Sequence, residues 1–180
     1  MMMYSGQLVD VLHLKAADID IRDIAHALAC TSRFGGHTRE PISVAQHSVY
    51  VSYFCLTQPL QGLLHDASEA YLGDVPEPLK DSPVFEKYRK LESRVQMLVY
   101  QKFKCQLQDT PEVRDADQLM LRVEAWKGYS APFWCEAPTT AEETRLRAAV
   151  SAWEFWDWRK AEEMFLQRFN EIVGINEVKV

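Results

Sequence analysis

Hydrophobic residues recur along most of the chain at intervals of three and four, the spacing that places them on one face of a helix. The clearest stripe lies between residues 60 and 72, and its members are Leu60, Leu63, Leu64, Ala67 and Tyr71. Gly73 follows the stripe, and Pro76 and Pro78 prevent a helix from continuing beyond it. The pattern predicts a buried helix from about Leu60 to Leu72.

Capping residues mark the ends of the other predicted helices. Asp18 or Asp20 can cap a helix that runs to about Cys30, and Ser43 can cap one that runs to about Leu56. Further helices are predicted from about Pro83 to Phe103, from Thr110-Pro111 to about Lys127, from a capping box at Thr140–Glu143, and from about Asp157 to Val173. The chain is therefore expected to be all-α.

Three segments lack a helical pattern. Residues 7–14 are compatible with a short strand or an extended arm. Residues 32–42 contain two glycines and a proline, which argue against regular structure, so this segment is expected to be an irregular functional loop. The aromatic, proline-containing stretch from Gly128 to Pro138 is also expected to be irregular.

Size and composition indicate one globular domain. The chain has 180 residues, of which 47% are hydrophobic and 26% charged. The predicted core spans about residues 18–127, and the C-terminal helices between residues 139 and 174 are expected to pack on it. The net charge of -6 argues against a nucleic-acid partner, because the chain has no basic tract to follow a phosphate backbone.

Cysteine usage and hydropathy indicate a reduced, cytoplasmic protein. Cys30, Cys55, Cys105 and Cys135 are far apart and form no C-x-x-C motif. No apolar run reaches membrane-spanning length, so no membrane association is expected. The first six residues lack the charged and apolar regions of a signal peptide.

Five polar residues occupy helix faces that should be buried. His47 lies between Val44 and Val51 on one face of its predicted helix. His65 and Asp66 are adjacent on the most apolar helix of the chain. Asp117 shares its face with Val113, Met120 and Leu121. Glu69 follows His65 and Asp66 by one turn and shares their neighbourhood.

A divalent cation explains this buried polar set. Burial of two imidazoles and two carboxylates without partners would cost several kcal/mol per charge by rough estimate. The mixed nitrogen and oxygen ligands suit Mn, Fe, Co, Ni or Zn, with Mg as an alternative. A bound ion could polarise a phosphoryl group and lower the pKa of an attacking water. A single histidine on such a face is more often a hydrogen-bonded core residue, so the combination carries the hypothesis.

These motifs resemble the HD-domain phosphohydrolase superfamily. The matching segments are Ser43-Val-Ala-Gln-His47-Ser, then Gly62-Leu-Leu-His65-Asp66-Ala-Ser-Glu69-Ala-Tyr-Leu-Gly-Asp74-Val-Pro, then Ala116-Asp117. They are most similar to the small bacterial and phage branch, which includes 5'-deoxynucleotidases and phage dATP triphosphohydrolases. The resemblance covers about residues 20 to 125 and implies a helical bundle with one metal between helices.

The resemblance also implies roles for individual residues. His47, His65, Asp66 and Asp117 fall on the metal-ligand positions. Glu69 falls where relatives handle the proton or orient the water, and Asp74 falls where they contact the substrate or assist the water. Arg33-Phe34 matches a basic-aromatic pair that engages phosphate and nucleoside.

Several other residues are candidate substrate contacts by their position in the sequence. Lys80, Arg114 and Arg39 are close enough in sequence to the site to meet a phosphate, although a single such residue, Arg114 and Arg39 above all, is more often a solvated surface charge. His37 could contact the substrate or form a loop hydrogen bond. The tryptophans Trp126, Trp134, Trp153, Trp156 and Trp158 could stack on a base, but a hydrophobic cover or an oligomer interface is the preferred interpretation.

The predicted function is hydrolysis of a deoxynucleotide. The Gly-Tyr-Pro signature of cyclic-di-GMP phosphodiesterases is absent, and Glu69-Ala70 replaces the Glu-Asp of stringent-response hydrolases. The preferred substrate is a dNTP, dATP above all, which would give a deoxynucleoside and tripolyphosphate, with a second metal ion on the phosphates as an option. The alternatives are a 5'-deoxynucleotidase and a non-catalytic nucleotide-binding module. Relatives imply a homo-oligomer, a dimer or a hexamer.

Overall fold

Helices provide the regular structure of the protein, which we describe from a computed structural model for residues 1–129, 148 and 151–174. The helices are α1 (Ile21–Cys30), α2 (Val44–Phe54), α3 (Pro59–Leu64), α4 (Glu69–Leu72), α5 (Glu77–Lys80), α6 (Glu86–Phe103), α7 (Pro111–Gly128) and α8 (Trp158–Val173). The described residues contain isolated bridges but no strand, which confirms the all-α prediction for this part of the chain. None of the described helices combines the length and hydropathy that crossing a membrane requires. The predicted capping box at Thr140–Glu143, Trp134 and Cys135 lie outside the described residues.

The predicted capping residues begin their helices. Asp20 Oδ1 accepts from Arg22 N at 2.8 Å, and Ser43 Oγ accepts from Gln46 N at 3.1 Å. Asp157 caps α8 in the same way. Because a cap satisfies backbone N–H groups that the helix itself cannot, these short polar side chains fix where each helix starts.

The predicted helix from Leu60 to Leu72 is interrupted, so that prediction is wrong between His65 and Ser68. The backbone there tightens, with bonds such as Ala67 N to Leu64 O at 3.0 Å and Glu69 N to Asp66 O at 3.0 Å. These i to i−3 bonds are of the 3₁₀ type. Gln96 of α6 supports the break, because its side chain donates to Leu64 O at 2.7 Å and accepts from Ser68 N at 2.9 Å.

Two predicted irregular segments contain short 3₁₀ turns. Residues 7–14 do not form a strand, because Val11–His13 is a 3₁₀ turn capped by Asp10. The predicted loop at residues 32–42 contains one short turn, Arg33–Gly36, whose backbone is not helical inside, with φ of 56° at Phe34 and 59° at Gly35. Left-handed backbone is costly for Phe34 but ordinary for glycine, so Gly35 helps the chain to make this turn.

Helix α2 lies at the centre of the molecule and packs against α1, α3, α7 and α8. Several of its polar residues are fully buried alongside apolar ones, among them His47, Gln46 and Ser52. Gln46 donates to Glu154 O at 2.6 Å and accepts from Trp156 N at 3.2 Å, which holds the segment before α8 onto the core. Because most of α2 is buried, its polar groups depend on partners inside the protein, which Gln46, His47 and Ser52 have and the buried Ser48 Oγ lacks.

Gly62 allows α2 and α3 to approach closely. A Cβ atom at this position would lie 2.7 Å from Cys55 Sγ, 3.2 Å from Cys55 Cβ and 3.3 Å from Ser52 Cα. The two helices carry His47 and, one residue beyond α3, His65, so their separation determines how close the imidazoles can come.

We predict that Gly62→Ala destabilises the protein by about 1–3 kcal/mol, because overpacking at this contact outweighs the gain in helix propensity. Chemical denaturation would measure the loss. In the Cys55→Ala background the same substitution should cost less, since the nearest clashing atom is gone. Equal costs in both backgrounds would contradict the close-packing explanation.

Candidate metal centre

Two histidine rings and two carboxylates converge where α2, the α3–α4 break and α7 meet. His47 Nε2 and His65 Nε2 are 3.2 Å apart. Asp117 Oδ1 lies 3.1 Å from His47 Nε2 and 3.8 Å from His65 Nε2. Asp66 Oδ2 lies 3.2 Å from His65 Nε2 and 3.6 Å from His47 Nε2. The structure therefore brings together all four predicted ligand residues.

Both histidines use their Nδ1 atoms as hydrogen-bond donors, which leaves Nε2 for the centre. His47 Nδ1 lies 2.8 Å from Glu124 Oε1, and His65 Nδ1 lies 2.8 Å from the Gly62 carbonyl oxygen. A carboxylate and a carbonyl can only accept, so each Nδ1 carries the hydrogen. In a neutral ring this arrangement directs the Nε2 lone pair toward the cluster, as metal-bound histidines require.

The charges of these groups are strongly coupled. Although burial opposes protonation, the neighbouring carboxylates raise the pKa of His65 well above its ordinary value, and Glu124 and Asp117 raise the pKa of His47. The same contacts work in the opposite direction on the acids, because His65 and His47 lower the pKa values of Asp66 and Asp117 despite burial. A proton or a cation must therefore lie among these groups.

His47, His65 and Asp117 form a group that could hold a metal ion. One ligand atom of each residue lies within 4.8 Å of those of the other two, and both histidines are buried. Nitrogen and oxygen ligands at such spacing can approach a common ion with small side-chain adjustments. The sequence predicted a divalent metal cofactor. The structure supports this prediction as far as a three-residue group that could hold the ion.

Glu69 and Asp74 lie next to this cluster. Glu69 is 6% exposed, and its Oε2 is buried without a hydrogen-bond partner. Burial, together with the charges of Asp66 and Asp74, raises the pKa of Glu69 to about 9. Burial also raises the pKa of Asp74, which follows the Gly73 turn at the end of α4. Both carboxyl groups thus lie within the electrostatic influence of the histidine and aspartate cluster.

Two of the predicted cations are at the site, and each contacts two carboxylates. Arg33 Nε lies 2.9 Å from Glu124 Oε2, and one Arg33 terminal nitrogen lies 3.4 Å from Asp66 Oδ2. Lys80 Nζ lies 2.7 Å from Glu92 Oε1 and 3.4 Å from Glu69 Oε1. Glu92 comes from α6, so this helix also contributes to the site.

Phe34 extends the site toward the end of α7. Its ring meets Tyr129 edge-on, with ring centroids 5.6 Å apart. The Arg33 guanidinium lies 5.6 Å from the centroid of the Phe34 ring. The predicted basic-aromatic pair therefore lies at the site as one contiguous unit.

Other predicted substrate contacts have different partners in the structure. The Arg114 guanidinium donates to the Asp109 carbonyl, and Arg39 donates to the Lys127 carbonyl at 3.1 Å. His37 is exposed in the loop, with its backbone N bonded to Phe34 O. The predictions for Arg114 and His37 therefore gain no structural support, whereas Arg39 fastens the loop to α7.

The tryptophans divide into buried and exposed sets. Trp153 and Trp156 are buried and stack on Tyr50 at centroid distances of 4.6 and 5.2 Å. Trp126 and Trp158 are 40% and 41% exposed. The buried pair thus forms the predicted hydrophobic cover over α2.

Glu124 is the important site residue that was not predicted from the sequence. It is fully buried on α7 and contacts both His47 and Arg33. The signal was present in the sequence, because Glu124 follows Asp117 by two helical turns and lies among Met120, Val123 and Ala125. An acid in that position on a buried face requires a partner, just as Asp117 does.

Comparison with known proteins places the chain in a family without revealing an activity. No model of a known protein family matches the chain. It is 36% identical over 122 residues to the uncharacterized protein YfdR of Escherichia coli, and the match spans 67% of each chain. It is 38% identical over 111 residues to an uncharacterized protein of Rhodobacter capsulatus, where the match spans 56% of each chain, little more than half of that relative. The chain belongs to the same family as YfdR.

We predict that the protein binds a divalent transition metal at this centre and that His65→Ala or Asp117→Ala abolishes binding. Equilibrium dialysis against Mn²⁺, Co²⁺ and Zn²⁺ would measure this, with circular dichroism to verify folding. His13→Ala is the matched control, because His13 is exposed near the N-terminus. Unchanged binding in the His65 variant would place the ion elsewhere.

Proposed function

We propose that the protein is a divalent-metal-dependent phosphohydrolase of deoxynucleotides and a member of the HD-domain superfamily. The observation that carries the proposal is the convergence of His47 Nε2, His65 Nε2 and Asp117 Oδ1, with Asp66 Oδ2 beside them. We propose Asp66 as the fourth ligand, because it lies as close to the two imidazoles as Asp117 does. A bound cation would polarise a phosphoryl oxygen and lower the pKa of an attacking water.

Glu69 is suited to accept the proton of that water. Its Oε2 is buried without a partner, while Oε1 faces Lys80. An acid whose pKa is raised by burial and neighbouring carboxylates returns toward its ionised form when a cation joins the cluster, since the cation offsets their charge. Asp74 lies close enough to influence Glu69 electrostatically and is proposed to assist in holding the water or the substrate.

The charge balance of the site also supports a metal-dependent enzyme. Asp66, Glu69, Asp74, Glu92, Asp117 and Glu124 surround the site. Arg33 and Lys80, both among the described residues, contact this set. When the two histidines are neutral, which is the form that binds a metal, the carboxylates that remain ionised outnumber these cations even without Glu69 and would repel a nucleotide phosphate. Divalent cations would offset that charge, and a second ion carried by the substrate phosphates remains part of the proposal.

The preferred substrate is dATP, with tripolyphosphate as the leaving group, as the resemblance to the phage enzymes suggests. Such a leaving group calls for several cations. One observation favours the second candidate, a 5'-deoxynucleotidase, because Arg114 donates to the Asp109 carbonyl, and Arg33 and Lys80 already have carboxylate partners. A monophosphate would need fewer positive charges.

Product analysis would decide between these candidates. The metal-loaded protein would be incubated with a panel of dNTPs and dNMPs, with and without chelator, and the products separated by chromatography. Deoxyadenosine and tripolyphosphate from dATP would support the preferred substrate, whereas orthophosphate from dNMPs alone would support the nucleotidase. No turnover with Mn²⁺, Co²⁺, Zn²⁺ or Mg²⁺ would overturn the enzymatic proposal and favour a binding module.

We predict that Glu69→Gln lowers kcat by about 10²–10⁴-fold, the usual contribution of a general base, while metal binding persists. Steady-state kinetics and equilibrium dialysis on the same preparation would test both parts. Glu163→Gln is the control, since Glu163 is exposed on α8. Full activity in Glu69→Gln would remove Glu69 from the mechanism.

A further inference from the structure

We infer that Glu124 is a positioning residue that joins the metal centre to Arg33. One of its carboxylate oxygens bonds His47 of the centre, and the other bonds Arg33. The inference rests on the proposed function, because it assigns Glu124 a part in binding the ion and in presenting Arg33 to substrate.

Both oxygens of Glu124 are committed to different partners. Oε1 accepts from His47 Nδ1 at 2.8 Å, and Oε2 accepts from Arg33 Nε at 2.9 Å. Both the Glu124 and His47 side chains are 0% exposed, so water does not compete for these bonds. Charge-assisted bonds that are short and shielded from solvent are the strongest class of hydrogen bonds in proteins.

The bond to His47 sets the ring for metal binding. With Nδ1–H donated to Glu124, the ring is held in the tautomer whose Nε2 points at His65 and Asp117. A carboxylate acceptor also makes the imidazole a stronger ligand than an amide acceptor would. Loss of the carboxylate should therefore weaken metal binding although Glu124 is not itself a ligand.

The bond to Glu124 helps to hold the Arg33 guanidinium in one position. The Arg33 side chain is 12% exposed and is held between Glu124 and Asp66. The turn that carries it docks on α7, because Arg39 N donates to the Gly128 carbonyl at 2.8 Å. Arg33 thus offers its remaining N–H groups from a fixed position, which lowers the entropy cost of holding a phosphate.

The packing of Gly128 supports this docked arrangement. A Cβ atom at Gly128 would lie 2.6 Å from Thr38 Cγ2 and 3.3 Å from Ile42 Cδ1. The loop after Arg33 therefore lies directly on the end of α7, the helix that carries Glu124. Helix α7 and this loop therefore pack against each other at Gly128, and Glu124 of the same helix bonds Arg33 at the start of the loop.

The two functions of Glu124 can be separated by substitution. Glu124→Gln keeps the shape but removes the charge that both partners require. Cobalt affinity, measured by competition with a chromophoric chelator, should fall by about 10–100-fold, the typical effect of losing a partner of a ligand histidine. The visible spectrum of the bound Co²⁺ should also change. Asp115→Asn, which removes a carboxylate from the exposed side of the same helix, should leave both unchanged.

The Arg33 connection is tested with the substrate found by product analysis, at saturating metal. Glu124→Gln and Arg33→Gln should each lower kcat/KM, and the double variant should lose no more than Arg33→Gln alone, because displacement of Arg33 is the shared cause. In the Arg33→Gln background, Glu124→Gln should still weaken Co²⁺ binding.

The outcomes separate this inference from the proposed function. Wild-type metal binding without turnover would remove the enzymatic proposal, while Co²⁺ affinity would still test the link to His47. Wild-type Co²⁺ affinity in a folded Glu124→Gln protein would overturn the inference alone, and so would additive losses of kcat/KM. If Glu124→Gln does not fold, the Co²⁺ affinity of Arg33→Gln is the deciding measurement. Loss of the ion in Arg33→Gln would contradict separate roles for the two Glu124 oxygens.

Discussion

The structure depends on one electrostatic constraint, the convergence of two buried imidazoles and two partly buried carboxylates within reach of one another. The two imidazoles donate their Nδ1–H groups to Glu124 and to the Gly62 carbonyl. The nitrogen and oxygen atoms that face the centre are therefore electron-rich. In a medium of low dielectric such atoms repel unless a proton or a cation lies among them. The opposed pKa shifts of the histidines and of Asp66 and Asp117 express the same constraint.

The surrounding fold holds these groups in place at several points. Gly62 permits the close approach of α2 and α3, and Gln96 stabilises the backbone break that carries His65 and Asp66. Helix α7 supplies Asp117 and, two turns later, Glu124. These contacts come from distant parts of the chain, so the geometry of the centre is a property of the whole bundle. Such support from rigid elements is what a reactive site requires.

Local patterns were sufficient to predict most of the described helices and the convergence of His47, His65, Asp66 and Asp117. Side chains of His47 and Asp117 lie on apolar helix faces, and that signal is visible in a single sequence. The break after Leu64 was not predictable in this way, because it depends on Gln96, 32 residues away. Arg114 shows the opposite limit, since proximity in sequence did not reveal that its guanidinium bonds the Asp109 carbonyl. Glu124 also lies on an apolar helix face, but its role follows only from its contacts with His47 and Arg33.

The most direct test of the account is anomalous X-ray diffraction from crystals grown with Mn²⁺ or Co²⁺, with data collected on both sides of the metal absorption edge. The account predicts an anomalous peak between His47 Nε2, His65 Nε2 and Asp117 Oδ1, with Asp66 in contact. A map without a peak there, or with the ion bound by other residues while these four stay paired with one another, would contradict the metal centre and the function built on it.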